Sequence, residues 1–444
     1  MEYFIWFSFG ALSLITLLTK ASSKQDPTNK AESTPKDFKI LQWTYYIPYF
    51  LAIFGDWLQG PYIYQLYKSY GFKERDIAIL FLTGFASSST LGTLTGPITD
   101  KYGRKKSALA FYVVYSICCI IKTSRNFSVL LSGRLLGGIS TSLLFTVFES
   151  WYVKEHKSRG YNDAWISKTS AFATFGNGLI AIIAGIVSDI FAETLGYGPI
   201  APFYIAVGSF AIGYFMVLVF WNENYGDASG DLMASYGEGL RVIWNDKSTL
   251  YVGGVQSIFE SCMYIFVFLW TPVLSDGPSG SAPLGTIFSC FMICIMIGSN
   301  IFSKLLSQSK HVSDTLFYAL IFFAISTGVC SLIAGPVQIS LFTNKLDTRI
   351  FVFLAFLLLE TSVGIYFPSI GTLRSQVIPE SHRATITNWF RVPMNLITCF
   401  TLLTVNHPSV SNDKRSIFCA CTGLLITGTL LANKIRNLMK SKTE

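Results

Sequence analysis

Charge is scarce in this chain, and so are the residues that do chemistry. Only 14% of the 444 residues are charged and only four are histidine. No Ser-His-Asp set, metal-ligand cluster or phosphate-binding loop can be picked out, which excludes the common enzymatic chemistries and leaves no cofactor to expect. All nine cysteines, from Cys118 to Cys421, fall inside apolar stretches and not in paired positions in loops, so they read as packing residues and not as a disulfide framework. The net charge of +8 is spread over short loops instead of forming one basic patch, which excludes a nucleic-acid partner.

What is abundant is apolar surface. Hydrophobic residues make up 51% of the chain and the mean hydropathy is +0.46, the composition of a polytopic membrane protein. A helix needs about 20 apolar residues to cross a bilayer. Candidates run over 3–19, 43–67, 77–99, 107–123, 127–152, 164–190, 200–221, 249–273, 284–306, 314–334, 350–372, 385–406 and 416–433. Taking alternate loops, one set carries 22 Lys and Arg and the other 9, so the positive-inside rule puts the first set in the cytoplasm. The remaining basic residues, Arg134, Lys168 and Arg391, fall within spans. The first segment carries Glu2 and no Lys or Arg before its apolar run, unlike a signal peptide; it is expected to stay as an anchor with its N-terminus outside.

The predicted fold is therefore all-α: an N-terminal anchor helix and cytoplasmic linker over 1–40, a six-helix half over 41–221, a Gly-rich acidic connection over 222–247, and a second six-helix half with a tail over 248–444. Internal echoes support two halves. Phe54-Gly55-Asp56-Trp57 corresponds to Ile258-Phe259-Glu260-Ser261, and Trp165 with Lys168 corresponds to Trp389 with Arg391.

Seven charged residues lie inside spans and clear of their ends: Asp56, Arg134, Glu149, Lys168, Glu260, Glu360 and Arg391. Each costs roughly 3 kcal/mol unpaired at the bilayer centre. Together they would cost about 20 kcal/mol, more than the roughly 5 to 15 kcal/mol that holds a typical fold. They must face one another or a water-filled cavity. Structural pairing is one reading for each: Glu149 with Arg104, Arg391 with Glu360, Arg134 as part of an R-x-x-G-G packing motif, and Lys168 snorkelling outward. A cavity between the halves is the other, with Asp56, Gln59, Glu260, Glu360, Arg134, Lys168 and Arg391 lining it.

Between two spans stands Gly96-Pro97-Ile98-Thr99-Asp100-Lys101-Tyr102-Gly103-Arg104-Lys105-Lys106. This G-x-x-x-D-K-x-G-R-K-K loop resembles the signature of the major facilitator superfamily, which implies a transporter of two rocking halves in which Gly96, Asp100, Gly103, Arg104 and Glu149 serve the gate. Longer strings narrow the resemblance. Asp56-Trp57-Leu58-Gln59-Gly60-Pro61-Tyr62, Phe148-Glu149-Ser150-Trp151-Tyr152, Tyr366-Phe367-Pro368-Ser369 and Asn388-Trp389-Phe390-Arg391-Val392-Pro393 are similar to the molybdate-anion transporter family of eukaryotes. That resemblance implies molybdate uptake across the plasma membrane. Molybdate is a tetrahedral dianion, so Arg134 and Arg391 are expected to give bidentate contacts and Lys168 a point charge. Hydroxyls of Ser87-Ser88-Ser89-Thr90 and Thr141-Ser142 are candidates to complete the shell. Four acids against three bases is an awkward balance for an anion, unless a buried carboxylate takes up a proton; Asp56 and Glu260 are the candidates for carrying that proton in. The aromatic residues Trp57, Tyr62, Tyr64, Trp151 and Trp389 also fit an organic solute such as a sugar or nucleoside. A membrane sensor or scaffold that transports nothing is a third reading.

Overall fold

The computed structural model describes residues 1–22, 35–162, 164–226, 240–275, 282–308, 311–333, 348–378, 383–404 and 414–440. Among these, helices run in the order α1 (Glu2–Ser22), α2 (Lys36–Gln59), α3 (Ile63–Ser69), α4 (Glu74–Thr90), α5 (Gly92–Tyr102), α6 (Arg104–Ile121), α7 (Phe127–Ser158), α8 (Ala164–Asp189), α9 (Ala201–Phe220), α10 (Lys247–Ser275), α11 (Leu284–Ser307), α12 (Val312–Ile333), α13 (Thr348–Val377), α14 (Arg383–Thr404) and α15 (Arg415–Lys440). Eight described helices are long and apolar enough to cross a membrane alone, and bent α4 and α5 can form a ninth span. All nine cysteines are unpaired, and seven of them are buried.

The helices gather in two groups. In one, α2 packs on α8 and α9, α7 on α4 and α6, and α6 on α9; in the other, α12 packs on α13 and α15, α11 on α13, and α10 on α14 and α15. Contacts between groups run through α8 against α11, α4 against α14, and α3 against α10. Much of the predicted 222–247 connection lies outside the described residues.

Small and polar residues set the local geometry. The span predicted over 77–99 is broken at Leu91, next to Ser89 and Thr90, whose hydroxyls fold back on the carbonyl of Ala86. Gly138 lets α7 approach α4 closely: a Cβ there would lie 2.6 Å from both the Ser88 amide nitrogen and the Ser87 Cβ. Pro48 inside α2 cannot donate to the carbonyl of Thr44. Trp221 repairs this, its Nε1–H donating to that oxygen at 2.9 Å, while its ring stacks on Trp151 at 3.8 Å.

Helix α1 packs beside α11. Its Ile5 is fully buried, Phe4 meets Phe353 of α13 edge-on, and the Ile5 carbonyl faces Cys290 of α11. Both partners sit near the ends of their helices that the positive-inside rule puts outside, which orients the start of α1 outward.

Candidate functional site

Between the two groups lies a pocket of about 320 Å³. One wall is built on α2, where Asp56 and Gln59 share a face three residues apart. The Gln59 amide donates Nε2–H to the Gly55 carbonyl at 2.9 Å, which turns Oε1 outward to accept from Lys122 Nζ at 2.6 Å. Lys122 closes α6 and is only 3% exposed. Its ammonium also reaches Cys118 Sγ at 3.5 Å and sits 5.1 Å from the Phe203 ring centroid. Asp56 accepts a hydrogen bond from the hydroxyl of Tyr115, one helix away on α6.

Arg134 comes from α7. It donates Nε–H to the Leu80 carbonyl at 2.9 Å and lies 5.0 Å from the Phe81 ring centroid. Room for it comes from Gly84, where a Cβ would stand 2.7 Å from Nη2. The opposite wall is Tyr264 and Val267 of α10 with Arg391, Met394 and Asn395 of α14. The Arg391 side chain is exposed, facing this opening. None of Lys122, Arg134 and Arg391 pairs with a carboxylate within 4.0 Å among the described residues. Of the candidate hydroxyls, those of Ser87, Ser89, Thr90, Thr141 and Ser142 donate to backbone carbonyls. Ser88 lines the pocket, its hydroxyl 3.3 Å from that of Ser142.

Toward the outer face, residues of opposite groups meet. Trp57 packs against Phe288, Phe85 against Tyr264, and Phe81 and Tyr64 against Phe268. Polar latches lie with them: buried Asp189 at the end of α8 accepts from Tyr62 at 2.8 Å and from Thr286 of α11 at 2.6 Å, and Lys414 pairs with Glu74 at 2.8 Å. At the same level α8 and α11 cross at Gly185 and Gly285, nearly backbone on backbone. These contacts join the two groups on the side that the positive-inside rule puts outside.

The signature loop stands at the other end. Gly103 has φ +108°, and a Cβ there would meet the Glu223 carboxylate at 2.5 Å. That carboxylate caps α6, accepting from the amides of Lys105 at 2.8 Å and Lys106 at 3.2 Å, as a helix N-terminus favours. Arg104 pairs with Asp100 at 2.7 Å and donates to the Ser150 carbonyl at 3.1 Å. The predicted Arg104–Glu149 pair is thus replaced: Glu149 is exposed and lies near enough to Tyr45 and Tyr49 of α2 for its charge to act on them. Gly96 has open space where a Cβ would stand.

A family model described as sugar transporters with 12 transmembrane helices matches residues 3–353. A protein from Xenopus tropicalis named molybdate-anion transporter is 35% identical over 447 residues, covering 100% of this chain and 96% of its own length. The protein of that name from Danio rerio is 37% identical, covering 95% of this chain and 92% of its own. The chain belongs to the molybdate-anion transporter family. Within the major facilitator superfamily, its fold is shared by the peptide transporter PepTSo (TM-score 0.73, 10% identity, covering 90% of this chain and 98% of that one) and the nucleoside transporter NupG (0.68, 12%, covering 89% and 98%).

Against this family frame, Asp56, Gln59, Arg134 and Arg391 of the sequence-predicted set line one pocket. Lys168 is exposed near the inner start of α8. Glu260 lies one helical turn inward of Tyr264 and accepts from the Tyr366 hydroxyl at 3.1 Å. Glu360 is buried within α13 and forms no ion pair with Arg391 among the described residues. Sequence reading missed Lys122, Tyr115 and Glu223. Lys122 stands at the end of the 107–123 run, where a lysine ordinarily reaches water.

Proposed function

We propose that this multi-pass membrane protein is a secondary transporter, not an enzyme, and that it carries molybdate inward across the plasma membrane by alternating access. Near-full-length identity of 35–37% to proteins named molybdate-anion transporter carries the reading. The pocket supports it, because Arg134 and Arg391 offer planar forks suited to oxyanion edges and Lys122 adds a point charge. With the outer entrance shut, the pocket holds the anion between α4 and α7 of one group and α10 and α14 of the other. Rocking that parts and re-forms the outer α8–α11 and α4–α14 contacts exposes it to either side in turn.

Asp56, held by Tyr115, is the carboxylate inside the pocket and the proposed proton carrier. Coupling of this kind makes uptake respond to a pH gradient: an acidic outer medium speeds it, and Asp56→Asn removes the response.

The decisive experiment measures labelled molybdate uptake in cells expressing the protein, competed by unlabelled molybdate, sulfate, tungstate and sugars. Saturable uptake competed by oxyanions is expected. Trp57 and Tyr264 in the pocket, together with the sugar-transporter description of the matching family model, favour an organic solute as the second reading. Sugar transport with no molybdate uptake would replace the first reading with the second, and a protein at the cell surface carrying neither would leave the non-transporting scaffold.

A further inference from the structure

The pocket carries a charge surplus that its own residues do not cancel. Its lining holds three cations, Lys122, Arg134 and Arg391, and one carboxylate, Asp56, which leaves two positive charges over while Asp56 is ionised, before it takes up its proton; Glu260, near enough to Arg391 for its charge to act on it, stands outside the lining. Among the described residues, the hydrogen-bond partners of Lys122 and Arg134 are neutral: Gln59 and Cys118 for Lys122, and the Leu80 carbonyl for Arg134. Aromatic rings take further faces of both. Holding charge away from water is costly unless an opposite charge approaches, and Lys122 is the most enclosed of the three. Gln59 fixes its position, because the amide is itself held by the Gly55 carbonyl.

We infer that the pocket selects its substrate by valence, and that Lys122 is the residue that sets it. This rests on reading the pocket as the oxyanion site. A doubly charged tetrahedral oxyanion cancels the surplus. A singly charged one of the same shape leaves a buried cation uncompensated, so shape alone does not admit it. With Lys122 neutralised, the surplus falls to one and the preference moves toward monoanions.

Perrhenate is the probe, being tetrahedral and close to molybdate in size with one charge fewer. Competition against labelled molybdate uptake gives the perrhenate-to-molybdate inhibition ratio for wild type, Lys122→Met, Lys122→Gln and Lys122→Arg. Wild type and Lys122→Arg should reject perrhenate. Lys122→Met and Lys122→Gln should lose molybdate affinity by roughly 10- to 150-fold, the span expected for one charge-assisted contact, while perrhenate inhibits as well as before or better, so that the ratio collapses. A merely structural lysine would lower uptake of both anions and leave the ratio alone, and that result overturns the inference. Should neither neutral variant reach the membrane, wild type still decides, because perrhenate competing on equal terms with molybdate also overturns it. Absence of any wild-type molybdate uptake would instead strike the reading of the pocket as an oxyanion site.

Discussion

Gly285→Ala should hold the outer gate open. In the structure, a Cβ at Gly285 of α11 would drive into the Gly185 carbonyl of α8 and come within 2.8 Å of the amide nitrogen and Cβ of Asp189. Backbone atoms cannot swing aside as a flexible side chain would, so the helices must part. Overpacking of this kind costs about 1–3 kcal/mol. The cost falls only on the conformation in which α8 and α11 touch, so the balance between outer-closed and outer-open forms shifts by roughly 5- to 150-fold. The assay introduces Asn395→Cys into the pocket wall, with the exposed Cys419 and half-buried Cys399 changed to Ser, and follows labelling by an impermeant maleimide from outside. Gly285→Ala should raise the initial labelling rate at least about 5-fold and slow uptake. Gly208→Ala, where a Cβ meets nothing within 4 Å, should do neither. Unchanged labelling in folded Gly285→Ala protein would show that this crossing is not the gate.

Three further outcomes are expected. Arg391→Ala should fold, since its side chain faces the pocket and not the core, yet lose uptake by roughly 10- to 150-fold; Arg391→Lys should rescue poorly because an ammonium lacks the planar fork, and normal uptake by Arg391→Ala would remove it from the site. Asp100→Asn or Arg104→Ala should leave surface expression largely intact and slow transport, read as uptake per surface molecule, because the pair at 2.7 Å and the Ser150 carbonyl tie the signature loop to α7. Glu223→Gln should weaken the α6 cap by about 1 kcal/mol, and Gly103→Ala should lower the thermal midpoint of the purified protein further, since it combines a positive φ with a clash on the same carboxylate; a Gly103→Ala midpoint equal to wild type would refute the strain.

The fold was legible in the sequence because bilayer physics is local: apolar run length and loop charge follow directly from neighbouring residues. The site was legible only in part. Asp56, Arg134 and Arg391 stand out as charges deep in apolar runs, but Lys122 sits at the end of one, where a lysine ordinarily snorkels to water. What holds it inside is a hydrogen bond to Gln59 of a separate helix, with the rings of Tyr115 and Phe203 beside it. Glu149 misled for a related reason. It is next to Ser150 in sequence, and Arg104 takes the Ser150 carbonyl while Glu149 points elsewhere. The Asp100–Arg104 pair is a plain four-residue helical spacing, obscured by Gly103, which breaks the helix between them and still leaves the side chains in reach.

Helix α1 comes first in the chain but is seated on helices from its far end, touching α11 and α13 through Ile5 and Phe4. Order along the chain and membership of a moving body therefore differ. As the two groups rock, α1 should travel with α11, while its covalent continuation leads to α2 in the opposite group. A fluorophore or spin label near Tyr3 would then report the motion of the second group, and measured against a label on α9 it would read the rocking angle of the whole carrier from its first few residues.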